Sequence, residues 1–544
     1  MLRKLLQLTL ATIFSIVFSA CLDDGESSNS ESTTSSTESK YELVYRGMPL
    51  YKENLSFEEY HLDSLEDEDF NSLTNAQKHL VANKLLSTLF FGYPPNELQE
   101  RIDSQEFIST LYTQLHTDTN DKAAVEVELV DDTKFRRYSG GEQEVADILT
   151  RFYLLEDLDR YYFHNWAAYV LTQTIMFSPS YELSSSHSPN IERVYNRFVT
   201  LFDDNTSLEY STYIHMISDD NWRRFRSPED NGREMLEIFA LDMDDTHVPI
   251  AAKALQNWKL NRDNDTLVIS LNENTQALDL FDTTIYSGED FYRELVLSEE
   301  FIYAVSYRTA QFFFSEYSEQ QLQNLANSIV RSRPQTWQDI LLQIVFSKEY
   351  LLNNETPKSA EESFFSLTKK MEWKHNIYSL RNFKSALEDM RQASMKYKLG
   401  KTTRVPLDTL SFAHYHKFLR ETVLLRRSNP EKIYDYSAWD RQGWNDSFIA
   451  NNYFFYDSTD EEKSIRSLIN HIFFAILSRE ASQEELSMLT SHMFRETQGG
   501  EVLDYPFAIF SSSESRESYK RNITILVLDY ISRLDKLYLQ EKVQ

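Results

Sequence analysis

Hydrophobic residues recur along most of this chain at a spacing of three and four, the period at which a helix turns one face to a core. Ala76 to Phe91 gives the first such run, with Leu80, Leu85, Leu86 and Leu89 apolar, and Gly92 with Pro94-Pro95 ends it. A second helix starts at Asn96. Val145 to Leu155, Tyr161 to Met176 and Ile191 to Phe202 read as aromatic-rich helices. Asp290 to Phe314, Glu319 to Val330, Trp337 to Val345 and Glu361 to Met390 follow with short joins, and Leu399-Gly400 is the clearest break. Leu468 to Leu477, then Ser478 to Leu486, again make two helices about a turn. Strand character is confined to Lys259-Leu260 and Thr266 to Leu271, either side of a turn at Asn261 to Asp265. The pattern predicts an all-α protein: a large multi-helical body of helical hairpins in one or two lobes, with one small β-hairpin near 259–271. A smaller echo, S-x-E-[FY], recurs at Ser104, Ser298 and Ser347 and reads as a helix start with an acid in the first turn.

The stretch from Ser227 to Leu260 holds the most chemistry. Ser227 can cap a helix that has Pro228 at its first position and Asp230 three residues on. At about 100° per residue, Asp230, Arg233, Glu234 and Glu237 share one arc, while Met235 and Phe239 point the other way. His247, Val248 and Pro249 open a second helix whose Ala251, Ala252, Ala254 and Leu255 allow close packing before Trp258. The plainer reading makes the arc a solvated face, with Arg233 and Glu237 an ordinary i, i+4 pair. The functional reading places Arg233, Glu234 and Glu237 in a cleft that Trp258 closes, as a binding site in which Glu234 or Glu237 is the candidate acid-base group and Arg233 an anion clamp. Spacing alone favours the first; the second is the expectation for this site.

Composition narrows the classes. The 544 residues are 41% hydrophobic and 14% aromatic, ample for a large core, yet include only 11 glycines and none of the glycine motifs of phosphate-cradling folds or serine-elbow hydrolases. A formal charge of −30, spread along the chain, leaves no broad basic surface, so nucleic acid is not an expected partner. No metal or other cofactor is implied: Asp203-x-Asn205-x-Ser207 and Asp263-x-Asp265 lack the glycine and terminal glutamate of a calcium loop, and His414-x-His416 would project oppositely on a helix. His164 with Asn165 and Trp166 reads as a satisfied core histidine rather than a site.

Residues 1–20 form an export signal: Arg3 and Lys4, an apolar run from Leu5 to Phe18, then small residues before Cys21, the only cysteine. This F-S-A-C end resembles a bacterial lipobox, which implies acylation of Cys21 at the mature N-terminus, and Leu22 after it resembles the outer-membrane sorting pattern. Residues 21–40, rich in Ser, Thr and Glu, cannot bury enough apolar surface to fold and read as a disordered tether. The expected division is then a main helical domain over 41–400, containing the R-E-x-x-E hairpin, and a C-terminal helical lobe over 401–544.

Three motifs together resemble exported bacterial proteins carrying domain-of-unknown-function family 1800. Glu229, Gly232-Arg233-Glu234 and Glu237-Ile238, with Trp258 closing the second helix, are similar to that family's N-E-N-x-A-R-E-x-x-E-L and terminal G-W. Pro228 and Asp230 stand in place of its asparagines, Gly232 in place of alanine, and Asn257 in place of the glycine before tryptophan. Ser347-Lys348-Glu349-Tyr350 with Lys358-Ser359-Ala360-Glu361-Glu362 resembles S-P-E-F and K-S-P-x-E, and Leu477-Ser478-Arg479-Glu480 resembles L-G-R-E. The resemblance runs over roughly Ala76 to Ser513. It implies a helical exported protein of no settled activity, often encoded beside an exported sulfatase-like or phosphatase-like partner. The reading that follows is a lipoprotein held to the bacterial outer membrane by its N-terminal lipid alone, binding an envelope protein or glycan. The alternative is an acid-base hydrolase using Glu234 or Glu237 with Arg233.

Overall fold

Hydroxyl side chains start most of the helices. In the computed structural model, Thr74, Ser207, Ser227, Ser287, Ser298, Ser318, Thr336 and Ser359 each accept a hydrogen bond from the backbone N–H three residues on. Five of them complete a capping box with Gln77, Asp290, Gln321, Asp339 or Glu362. The structure describes residues 62–93, 95–120, 141–155, 157–176, 191–225, 227–371, 408–419, 461–493, 495–498, 501–504 and 526–543, with residues 122, 387, 389, 390, 404, 523 and 524. The export signal, Cys21, the tether and the break expected at Leu399-Gly400 lie outside these residues.

The protein is mostly helical. Helices Asn75–Phe90, Pro95–Ile102, Phe107–Gln114, Gly141–Leu154, Arg160–Gln173 and Ile191–Asp203 build the first part, and Leu208–Met216, Asp219–Trp222, Pro228–Phe239 and Val248–Ala254 lead to the central hairpin. Gly288–Leu297, Glu299–Phe313, Glu319–Ser332, Trp337–Val345 and Ala360–Lys370 follow, then Thr409–Phe418, Glu461–Leu477 and Gln483–Met493. The long helix expected over Asp290 to Phe314 is two, because Ser298 turns extended and its hydroxyl caps the second from Phe301 N–H. Of the three S-x-E-[FY] echoes, Ser298 caps a helix and Ser347 receives Tyr350 N–H at 3.0 Å, whereas Ser104 bonds Glu106 N–H and the helix begins at Phe107.

The expected β-hairpin forms, with Trp258–Asn261 antiparallel to Thr266–Ile269 and Trp258 opposite Ile269. The single hairpin is corrected to four two-stranded pairs among the described residues: Leu278–Leu280 with Thr283–Ile285, Arg495–Gln498 with Glu501–Asp504, and Thr356–Pro357 with the distant Leu539–Gln540 are the others. Strands of two to four residues carry too few alternations for a period of two to register. One hydrophobic cluster runs from Leu62 to Tyr538, so the described parts of the expected main domain and C-terminal lobe share a core. The last of these pairs fastens the C-terminal segment to that core, with Lys358 N–H donating to Tyr538 O at 2.8 Å and Val543 N–H to Leu352 O at 2.9 Å. Among the described residues no helix is long and apolar enough to cross a membrane.

The candidate ionic face, a buried ionic joint and an open cleft

The central hairpin is held tight by absent side chains. A Cβ on Gly232 would lie 2.5 Å from Ala251 Cβ, so glycine rather than alanine is what lets Pro228–Phe239 approach Val248–Ala254. Met235, Leu236, Ile238 and Phe239 are buried beneath it, as the helical period requires. The loop between the two helices holds Leu241 at φ 54° and Asp245 at φ 61°. A left-handed leucine costs on the order of 1–3 kcal/mol and persists only where its surroundings over-determine it. Here that loop brings Asp245 to Arg233 and Asp242 to His247, whose Nδ1 lies 2.7 Å from the carboxylate.

Arg233, Glu234 and Glu237 do share a face, as the spacing predicts, but that face is open. The Arg233 side chain is 35% exposed and Glu234 32%. Arg233 pairs with Asp245 and, at 3.5 Å, with Glu229, both on the outer edge. Glu234 lies 3.6 Å from the buried Arg224, and Arg308 donates to the Glu237 backbone carbonyl at 3.5 Å. Partial burial, then the Glu234 charge, pushes the Glu237 carboxyl upward against the pull of Arg233. Burial likewise lowers Arg308. The enclosed arrangement expected of these residues is corrected on one point above all: Trp258 is not a lid. It is 2% exposed, stacks on Trp222 at 5.9 Å and meets Tyr292 edge-on at 5.3 Å. A Cβ on Gly288 would strike its indole nitrogen at 2.4 Å, which fixes the ring in the core. Tyr292 in turn donates to the buried Asn231 at 2.6 Å.

A second polar group is not legible as a unit in the sequence. Residues of the S-K-E-Y and K-S-A-E-E motifs meet in the core with two partners from elsewhere, Lys84 and Arg404. Arg404 pairs with Glu362 and contacts Tyr350 Oη at 3.4 Å, while its guanidinium stands over Phe312 and Phe313 at 4.8 and 4.9 Å. Tyr350 shares a 2.8 Å bond with Thr88. Lys84 donates to the carbonyls of Asn354 and Glu541, and Lys358 to that of Leu537. Burial lowers Lys84 to about 7 and Lys358 to about 8. Every one of these contacts joins segments distant in the chain, and the carbonyls of 537 and 541 belong to the C-terminal segment, so the group is a joint rather than an open site.

The other polar positions marked in the sequence are separately satisfied. His164 Nδ1 lies 2.6 Å from Asp203, which also binds Lys122 at 3.0 Å, and Ser207 caps the next helix, so Asp203, Asn205 and Ser207 do not converge. His414 and His416 approach different carboxylates, Asp389 at 3.8 Å and Asp529 at 3.6 Å. Among the described residues no three His, Cys, Asp or Glu side chains are grouped to hold a metal ion.

An open cleft of about 430 Å³ lies away from the ionic face, beside helices Pro95–Ile102 and Phe107–Gln114. Its lining includes Tyr93, Arg101, Thr110, Thr113, Gln114 and Asp157. Arg101 lies over the Tyr93 ring at 4.4 Å and donates to Tyr93 Oη at 3.0 Å and Gln114 Oε1 at 2.9 Å. Burial raises the Tyr93 hydroxyl to about 12, with Arg101 opposing. Glu106, Ser109, Thr110, Thr113, Gln114 and Thr117 recur at a spacing of three and four, but a polar stripe of that period is the pattern of any solvated helix face, so spacing does not mark the cleft.

No family model, curated protein or solved structure matches this chain.

Proposed function

We propose that the protein is a lipid-tethered binding protein of the bacterial cell envelope, a divergent relative of the domain-of-unknown-function 1800 proteins, that meets a partner protein or glycan and does not itself turn over a substrate. Cys21 is the acylated residue in this reading, and the outer membrane the site of anchoring. The observation that carries it is the openness of the central face. Glu229 and Asp245, its outermost charges, are 64% and 52% exposed, and Arg233 is already engaged by both. A charged surface of that kind can dock against a basic protein surface; it cannot exclude water from a reacting bond.

One observation favours the hydrolase reading, the upward shift of Glu237 beside Glu234, which suits a general acid. Against it, Asp245 and Glu229 occupy the guanidinium that would clamp an anion.

A photo-crosslinking residue at Glu229 in intact cells separates the two. Binding predicts a discrete adduct in the membrane fraction that is lost with Asp245→Lys, and release of the protein from that fraction by Cys21→Ser. Absence of any adduct, together with hydrolysis of model esters or glycosides that Glu237→Gln abolishes, would establish the enzyme instead.

A further inference from the structure

The cleft beside Pro95–Ile102 continues into a second of about 390 Å³ that shares Arg101, Thr110 and Gln114 with it and runs on to Glu97 and Glu100. Each alone falls within the size range of small-ligand sites, roughly 300–1,000 Å³. Two that share walls make a run suited to a chain of repeating units.

The hydrogen-bonding character of the walls selects among such chains. Thr113 spends its proton on the Ser109 carbonyl at 2.8 Å, and Thr117 spends its own on the Thr113 carbonyl at 3.1 Å. Both hydroxyl oxygens are therefore left to accept. Glu106 and Asp157 add acceptors; Arg101 donates, and the Gln114 amide and the Tyr93 hydroxyl add donors, since both accept from Arg101 through oxygen. Two of the five Arg101 N–H groups are used on Gln114 and Tyr93, which fixes the guanidinium plane before any ligand arrives. A wall on which acceptors and donors alternate complements a ligand each of whose groups does both, which describes sugar hydroxyls. An extended peptide needs apolar pockets for alternate side chains, and the lining side chains here are mostly polar. Charge excludes a further class, since Glu97, Glu100, Glu106 and Asp157 face a single lining cation, Arg101. An acidic polymer would be repelled.

We infer that these paired clefts bind a neutral oligosaccharide. The inference rests on the binding reading of the protein but not on the ionic face. Its test is affinity electrophoresis of the mature full-length protein in detergent, through native gels containing xylan, glucomannan, galactomannan, laminarin or hydroxyethylcellulose. Alginate and polygalacturonate serve as acidic counterparts. At least one neutral polymer retards the wild-type protein, and calorimetry with the corresponding hexasaccharide gives a Kd that Thr113→Trp weakens at least tenfold by filling the cleft. Thr113 is exposed, so that variant keeps the fold, which a melt verifies. Gln114→Ala, which frees the Arg101 plane, weakens binding without blocking the space. Arg233→Glu leaves retardation unchanged, so failure at the ionic face and failure at the cleft are distinct results. The inference is overturned if no neutral polymer retards the folded protein, if Thr113→Trp is retarded as strongly as wild type, or if only the acidic polymers or a peptide bind.

Discussion

Arg233 and Arg404 are chemically identical and physically opposite. Arg233 stands at the surface with exposed partners, so Arg233→Ala leaves the melting temperature unchanged within error. Arg404 is buried over two phenylalanines with its charge balanced by the buried Glu362. Arg404→Met strands that carboxylate and costs on the order of 3 kcal/mol, and Glu362→Gln in the same chain restores part of it, as thermal melts of the single and double variants will report. A shift for Arg404→Met as small as that for Arg233→Ala would contradict this assignment. The sequence singled out Arg233 because its helix carries a readable period. Nothing local marks Arg404, whose partners Tyr350 and Glu362 lie 54 and 42 residues away. Trp258 was legible as an anchor but not in its direction, since only the fold sets it between Trp222, Tyr292 and Gly288.

At the scale of elements, caps and period located most helices, and Trp337–Val345 has the bounds its pattern predicts. Legibility fails where a distant segment decides burial. Nothing local marks Lys84 as buried, yet the C-terminal segment covers it and presents the Glu541 carbonyl 457 residues on. That burial has a consequence for pH. Lys84 at about 7 and Lys358 at about 8 lie below the unfolded lysine value near 10.4. Between those limits the unfolded chain binds more protons than the folded one, so stability rises with pH and the penalty is complete below about pH 7. Urea melts between pH 7 and 9.5 should show wild type gaining on the order of 1 kcal/mol per pH unit, with a visibly shallower slope in Lys84→Met. A flat wild-type profile would place a solvated ammonium at position 84.

The molecule as a whole joins a single helical core to two surfaces of different character, an open ionic face on the central hairpin and a hydroxyl-lined cleft near the first helices. The helical class was legible because a period of 3.6 persists over hundreds of residues. The face was legible only in part, because spacing places charges on one side of a helix without saying what covers them. The central claim, that this face is open and meets a partner in the envelope, can be tested at Glu237, since the chain has one cysteine and acylation would leave its thiol unreactive. Maleimide labelling of Glu237→Cys is followed in intact envelopes and again after a high-salt wash and detergent extraction, beside the exposed Leu271→Cys and the buried Ser347→Cys. The account predicts slow labelling in the envelope that accelerates, once the partner is stripped, to a rate between those of Ser347→Cys and Leu271→Cys. Labelling as slow as Ser347→Cys under both conditions would mean an enclosed site, and equally fast labelling under both would mean that nothing covers the face.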